Sequence, residues 1–140
     1  MKFWQSISTK DFGFGIILFA LVIAVSILQP SNKIIFEFGD DAVDVKSSKY
    51  KMNIPYEMVD FIELVEKPDM GTEVKGHDDM ILQTGTWTNE AWGQYENCTE
   101  IATDNCIVIH LDDGRIFVAS RRDNEETAAI FEEFQSYLNE

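Results

Sequence analysis

Cys106-Ile-Val-Ile-His-Leu111, Asp112-Asp-Gly-Arg115, Ile116-Phe-Val-Ala-Ser120 and the run from Asp123 to Leu138 follow one another closely, and their reading decides the fold. Asp113-Gly114 lies between two β-branched runs. This dipeptide supplies the positive φ angles of a two-residue type I′ turn at low cost, so the sequence predicts a β-hairpin. Such a turn sets Asp112 opposite Arg115, Leu111 opposite Ile116, His110 opposite Phe117 and Ile109 opposite Val118. Ile107, Ile109 and Leu111 then share a core face with Ile116 and Val118. The opposite charges of Asp112 and Arg115 favour this register by about 0.2–1 kcal/mol.

The hairpin feeds a C-terminal helix. Asp123 is placed to cap it, with Glu126 three residues on as in a capping box. Glu125 and Glu126 also suit the positive end of the helix dipole. Ile130, Phe131, Phe134, Tyr137 and Leu138 recur at helical spacing, while Glu132, Glu133, Gln135, Ser136 and Asn139 take the other side. One face is therefore expected to pack on a sheet and the other to meet water.

Before this stretch the chain reads as a meander of short strands. Lys33 to Phe38, Ala42 to Lys46 and Tyr50 to Ile54 are separated by Gly39-Asp40-Asp41 and Ser47-Ser48. Pro55 cannot donate to a ladder and marks an edge or a strand end. Val59 to Glu66 gives a further strand, and Met80 to Trp87 and Gly93 to Cys98 give two more. Lys67 to Asp79 holds Pro68, Gly71, Gly76 and many charges, and reads as a long exposed loop. With about seven strands and one helix, a small antiparallel barrel or sandwich capped by the helix is expected.

Phe12 to Leu28 is a run of 17 uncharged, mostly apolar residues, about 26 Å long as a helix. The leading reading divides the chain into a head (1–11), a transmembrane helix (12–29), a linker (30–32) and a domain (33–140). A cleaved signal peptide, with Lys2 and Lys10 as its basic start and Ala24-Val25-Ser26 as its cleavage site, is the alternative. A buried core helix is the weakest reading. Lys2 and Lys10 precede the run, whereas Lys33 is followed by Glu37, Asp40, Asp41 and Asp44. The positive-inside rule then puts the domain outside the cytoplasm of a single-pass membrane protein.

Residues 31–140 carry nine Lys or Arg against 24 Asp or Glu, a net charge of −15. Nucleic acid and anionic lipid headgroups both demand a basic surface, so neither is an expected partner. An acidic surface favours solubility, cationic partners or divalent ions.

The sequence offers little chemistry. No Ser-His-Asp constellation, phosphate-cradling glycine loop or zinc spacing is visible, so no enzyme, cofactor or resident metal is expected. His110 alternates out of the core face. His77-Asp78-Asp79, with Asp69 and Glu73, could make the 67–79 loop a Ca²⁺ or small-ligand site, although the spacing is not that of an EF-hand. Trp87, Trp92 and Tyr95 are either core and rim packing or an aromatic recognition surface. Cys98 and Cys106 flank a polar loop. They form a disulfide if strands 93–98 and 106–111 pair, and are otherwise two unpaired core residues.

Several segments carry a family likeness: Ile54-Pro55-Tyr56-Glu57-Met58-Val59 before Phe61-Ile62-Glu63-Leu64; Gly85-Thr86-Trp87 followed by Trp92-Gly93-Gln94-Tyr95; and Asp112-Asp113-Gly114-Arg115 leading through Val118-Ala119-Ser120-Arg121-Arg122-Asp123 to Glu126-Thr127. Over residues 33–139 the chain resembles the bacterial pleckstrin-homology-like domains, which often follow membrane helices. The resemblance implies a strongly bent sheet of seven strands capped by a C-terminal helix, with no catalytic residues. Eukaryotic relatives often bind phosphoinositides through early basic residues. Here Lys46, Lys49 and Lys51 stand among Glu37, Asp40, Asp41 and Asp44, so the expectation is a membrane-anchored protein-interaction or assembly module.

Overall fold

The computed structural model describes residues 33–48, 50–78, 81–100 and 104–140. They belong to the second of two units into which the chain divides, Ser31–Glu140. The head, transmembrane helix and linker of the sequence reading lie outside the described residues. Among those described, no helix is long and apolar enough to cross a membrane.

The domain is mainly β, with two sheets and a C-terminal helix. β1 (Ile35–Phe38), β2 (Ala42–Lys46) and β3 (Lys51–Pro55) form an antiparallel three-stranded sheet. Its register aligns Phe36, Val45 and Met52, and likewise Phe38, Val43 and Ile54, on one face. The opposite face is a charged ladder. Lys46 lies 2.7 Å from Glu37, Lys51 lies 3.5 Å from Asp44, and Asn53 donates to Asp44 at 2.7 Å.

The second sheet has six strands in the order β4-β8-β9-β7-β6-β5. These are β4 (Val59–Glu66), β5 (Thr72–Asp78), β6 (Leu82–Asn89), β7 (Gly93–Glu100), β8 (Asn105–Leu111) and β9 (Ile116–Ala119). Among the described residues the count is nine strands rather than about seven, and no barrel closes. β4 and β5 remain unjoined edges. One pair, β7 with β9, is parallel. The 67–79 loop is also corrected: Thr72–Asp78 is a strand paired with β6. Its seven residues are all exposed, so it shows no apolar alternation from which a strand could be read.

The closing hairpin forms with a different turn. Leu111 donates to the Arg115 carbonyl at 2.9 Å, and Gly114 donates to that of Leu111 at 3.0 Å. The loop is therefore Asp112-Asp113-Gly114, with Gly114 at φ 90°, where a side chain would be strained. The extra loop residue moves the register by one: Ile109 faces Phe117 and Ile107 faces Ala119. A one-residue slip exchanges the faces of a whole strand. Phe117 and Ala119 thus join the main core, while Ile116 and Val118 turn to the other side.

The main core fills the space between the two sheets. It contains Val43, Val45, Met52 and Ile54 from the small sheet and Ile62, Ile107, Ile109 and Phe117 from the large one. α1 (Asn124–Leu138) adds Phe134, which is fully buried. Asp123 caps this helix by accepting from the Glu125 N–H at 2.7 Å. The capping box is not completed, because Glu126 turns to Arg121 at 3.3 Å. Arg121 also lies 3.4 Å from Glu100, a carboxylate only 1% exposed that accepts from the Arg122 N–H. This buried pair ties the start of α1 to the end of β7.

The connection from β4 to β5 explains the shape of the large sheet. Following the pairings across the sheet shows that β4 and β5 are parallel. They are its two outermost strands, and only Lys67–Gly71 joins them. Six Cα steps at about 3.6 Å reach about 22 Å. The edges of a flat six-stranded sheet lie about 24 Å apart, before the length of a strand is added. The sheet must coil so that opposite corners approach. Gly71, at φ 77°, lies so close to β6 that an added Cβ would meet the Thr88 carbonyl oxygen at 1.9 Å.

Candidate functional site

The coil encloses a second core on the far face of the large sheet. Trp87, Tyr95, Cys106, Val108 and Val118 form it, with Val65, Met70, Trp92 and Ile116 packed around them. Trp87 is 3% exposed and donates its indole N–H to the Thr84 carbonyl; Tyr95 is 2% exposed and donates its hydroxyl to the Met70 carbonyl in the crossover. Trp92 stands edge-on to Tyr95 at 5.2 Å. Trp87 and Tyr95 are therefore brought together as packing, with the half-buried Trp92 at their rim.

The disulfide is likewise corrected. β9 lies between β7 and β8, so strands 93–98 and 106–111 do not pair. Cys98 belongs to the main core and Cys106 to the second, on opposite faces of the sheet. Both are free thiols, and burial pushes each up to about 12. In the 67–79 segment, Asp69 caps Gly71 N–H at 3.0 Å and the later residues enter β5. Among the described residues, no group of three or more His, Cys, Asp or Glu side chains converges on a metal position.

The smaller of two concavities, about 200 Å³, is bordered by Thr86, Glu96, Arg115 and Phe117. Its charged groups already have partners. Glu96 accepts from Thr86 at 2.9 Å and from Tyr50, and Arg115 pairs with Asp113 at 2.8 Å while lying 5.6 Å above the Phe117 ring.

The larger is an open cleft of about 700 Å³ where the small sheet meets the end of α1. The β1–β2 turn supplies Asp40 and Asp41, β3 supplies Asn53 and Pro55, and the 3-10 turn Tyr56–Met58 supplies Tyr56 and Glu57. The last turn of α1 supplies Tyr137, and Glu140 follows it. Pro55 sends the chain from β3 into the 3-10 turn. Tyr56 is then held at both ends, its N–H donating to the Asp41 carbonyl at 3.0 Å and its hydroxyl to that of Gly39 at 2.9 Å. Tyr137 stacks on Tyr56 at 5.5 Å and on Phe38 at 5.0 Å. Burial pushes the Tyr56 phenol up to about 12, assisted by the negative potential of Tyr137, Glu140, Asp40 and Glu133.

This cleft was not legible beforehand. Asp40-Asp41 reads as a turn, Tyr56 as part of a strand break, and Tyr137 as the core side of a helix. Only the packing of α1 on the small sheet brings them together. Compared with known proteins, the chain matches no family model, no curated protein and no solved structure.

Proposed function

We propose that this chain is a single-pass membrane protein whose strand-rich, pleckstrin-homology-like domain is a non-catalytic protein-interaction module held outside the cytoplasm. The observation that carries the reading is the contrast between the cleft and the rest of the domain. Both faces of the large sheet's central strands are taken up by packing, whereas the cleft presents half-buried stacked tyrosines beside carboxylates without salt-bridge partners among the described residues. Tyrosines are favoured anchors at interfaces. The uncharged run Phe12–Leu28 supports the anchor.

A two-sheet body with a closing C-terminal helix supports the family likeness. The parallel β7–β9 pair and the open edges depart from it. Lys46 and Lys51, which would contact a phosphoinositide in a basic relative, are already paired with Glu37 and Asp44. That supports a protein partner over an anionic headgroup.

The test is crosslinking of the full chain in native membranes, followed by an alkaline carbonate wash. The expected result is a discrete adduct with another protein that stays in the membrane pellet. Release of the chain by carbonate, or its recovery without any adduct, would contradict the proposal.

A further inference from the structure

Away from the cleft, we infer that Asp113-Gly114 is a spontaneous isomerisation site, held shut in the folded protein by Arg115. It is the one Asp-Gly or Asn-Gly pair in the chain. The reaction joins two groups of the turn itself. The Gly114 main-chain nitrogen attacks Cγ of the protonated Asp113 carboxyl, the nitrogen's proton and the carboxyl hydroxyl leave as water, and a five-membered succinimide closes. Water then adds back to one of the two ring carbonyls. Opening at the side-chain carbonyl restores aspartate; opening at the main-chain carbonyl gives isoaspartate of unchanged mass. The isoaspartyl chain runs through Cβ. It therefore lengthens by one carbon the three-residue loop that sets the β8–β9 register.

The local structure leaves the pair accessible. Asp112, Asp113 and Gly114 are exposed at the tip of the hairpin, where chains open most easily. Glycine has no side chain to shield its nitrogen, and open space surrounds the position a Gly114 Cβ would take.

The folded turn opposes the reaction at both reacting atoms. The Gly114 N–H donates to the Leu111 carbonyl at 3.0 Å. The Asp113 carboxylate accepts from the Arg115 N–H at 3.0 Å and from its Nε–H at 2.8 Å, one bond to each oxygen. The main-chain bond, helped by the guanidinium, holds the Asp113 carboxyl below the usual carboxylate range. An ionised carboxylate is a poor electrophile, and this one must also leave Arg115 before Cγ can meet the nitrogen. The guanidinium is steadied in turn 5.6 Å above the buried Phe117 ring.

Isoaspartate at position 113 is measured in the full chain, in nonionic detergent at neutral pH. Peptide mapping after cleavage at glutamate separates it from aspartate at unchanged mass. The chain unfolded in guanidinium chloride should accumulate it, and the folded chain should do so at least about tenfold more slowly. Arg115→Ala should speed the folded chain at least about threefold, with hydrogen exchange at the Gly114 amide unchanged. Absence of isoaspartate from the unfolded chain, or equal rates folded and unfolded, would overturn the inference. So would an Arg115→Ala chain as slow as the parent. A faster rate matched by faster exchange at Gly114 would assign the effect to loop opening and remove Arg115 from the role.

Discussion

The central strands of the six-stranded sheet are buried on both faces, but by different means. One is covered by separate elements, the small sheet and α1, which bring their own apolar side chains. The other is covered by the sheet's own coil and by the five-residue crossover that carries Met70 over it. The first arrangement follows from amphipathic strands and helices finding partners. The second follows from a connection too short for a flat sheet. With the central strands covered on both faces, the recognition site proposed above lies at the margin where the small sheet and the helix meet.

The largest effects should come from emptying either core. Phe134→Ala on the first face and Trp87→Ala on the second should each cost about 3–5 kcal/mol, read by denaturant unfolding. A Trp87→Ala variant as stable as the parent would break the comparison, because it would return that indole to the surface. Glu100→Ala removes the buried carboxylate that pairs with Arg121 and accepts from the Arg122 N–H, leaving Arg121 with Glu126, and should cost about 1–3 kcal/mol.

Next comes the crossover. Gly71→Ala puts a methyl group against the β6 backbone at a positive φ and should cost at least about 1–3 kcal/mol. Serine substitutions in the exposed β5 edge, such as Val74→Ser, should stay within about 0.5 kcal/mol. The contrast separates the crossover's constraint on the coil from mere proximity to β5.

A smaller effect follows from the thiols, one in each core. Their folded values, raised from 9.0 to about 12, mean that the unfolded chain loses protons first as pH rises. Stability from this source is intact below about pH 9 and declines as pH climbs toward 12. The melting temperature should therefore fall between pH 8.5 and 10.5, and less steeply in a Cys98→Ala/Cys106→Ala variant compared with its own value at pH 8.5. In unreduced protein, a thiol reagent should find two reactive groups after denaturation and react slowly before it; no reactive groups after denaturation would mean a bridge.

The first face was largely legible in the sequence. Alternation in β2, β3 and β8, the Asp123 cap and the spacing of Ile130, Phe131 and Phe134 all led to the right elements. The second face was not, for local reasons. A three-residue turn in place of a two-residue turn reversed Ile116–Ala119, so Val118 was assigned to the wrong side. β5 has no buried residue and therefore no apolar period. The sequence leaves Trp87 and Tyr95 as either packing or an aromatic surface, and only the coil buries them. The cleft depends on the stacking of Tyr137 on Phe38 and Tyr56, which no local pattern encodes.

The most direct test of where recognition lies is photo-crosslinking in intact cells from two positions of the full chain. A photoreactive residue replaces Glu57 in the cleft or Trp92 at the rim of the second core. A partner adduct from position 57 and none from position 92 is the expected result. An adduct from position 92 alone would put recognition on the second face and contradict the account.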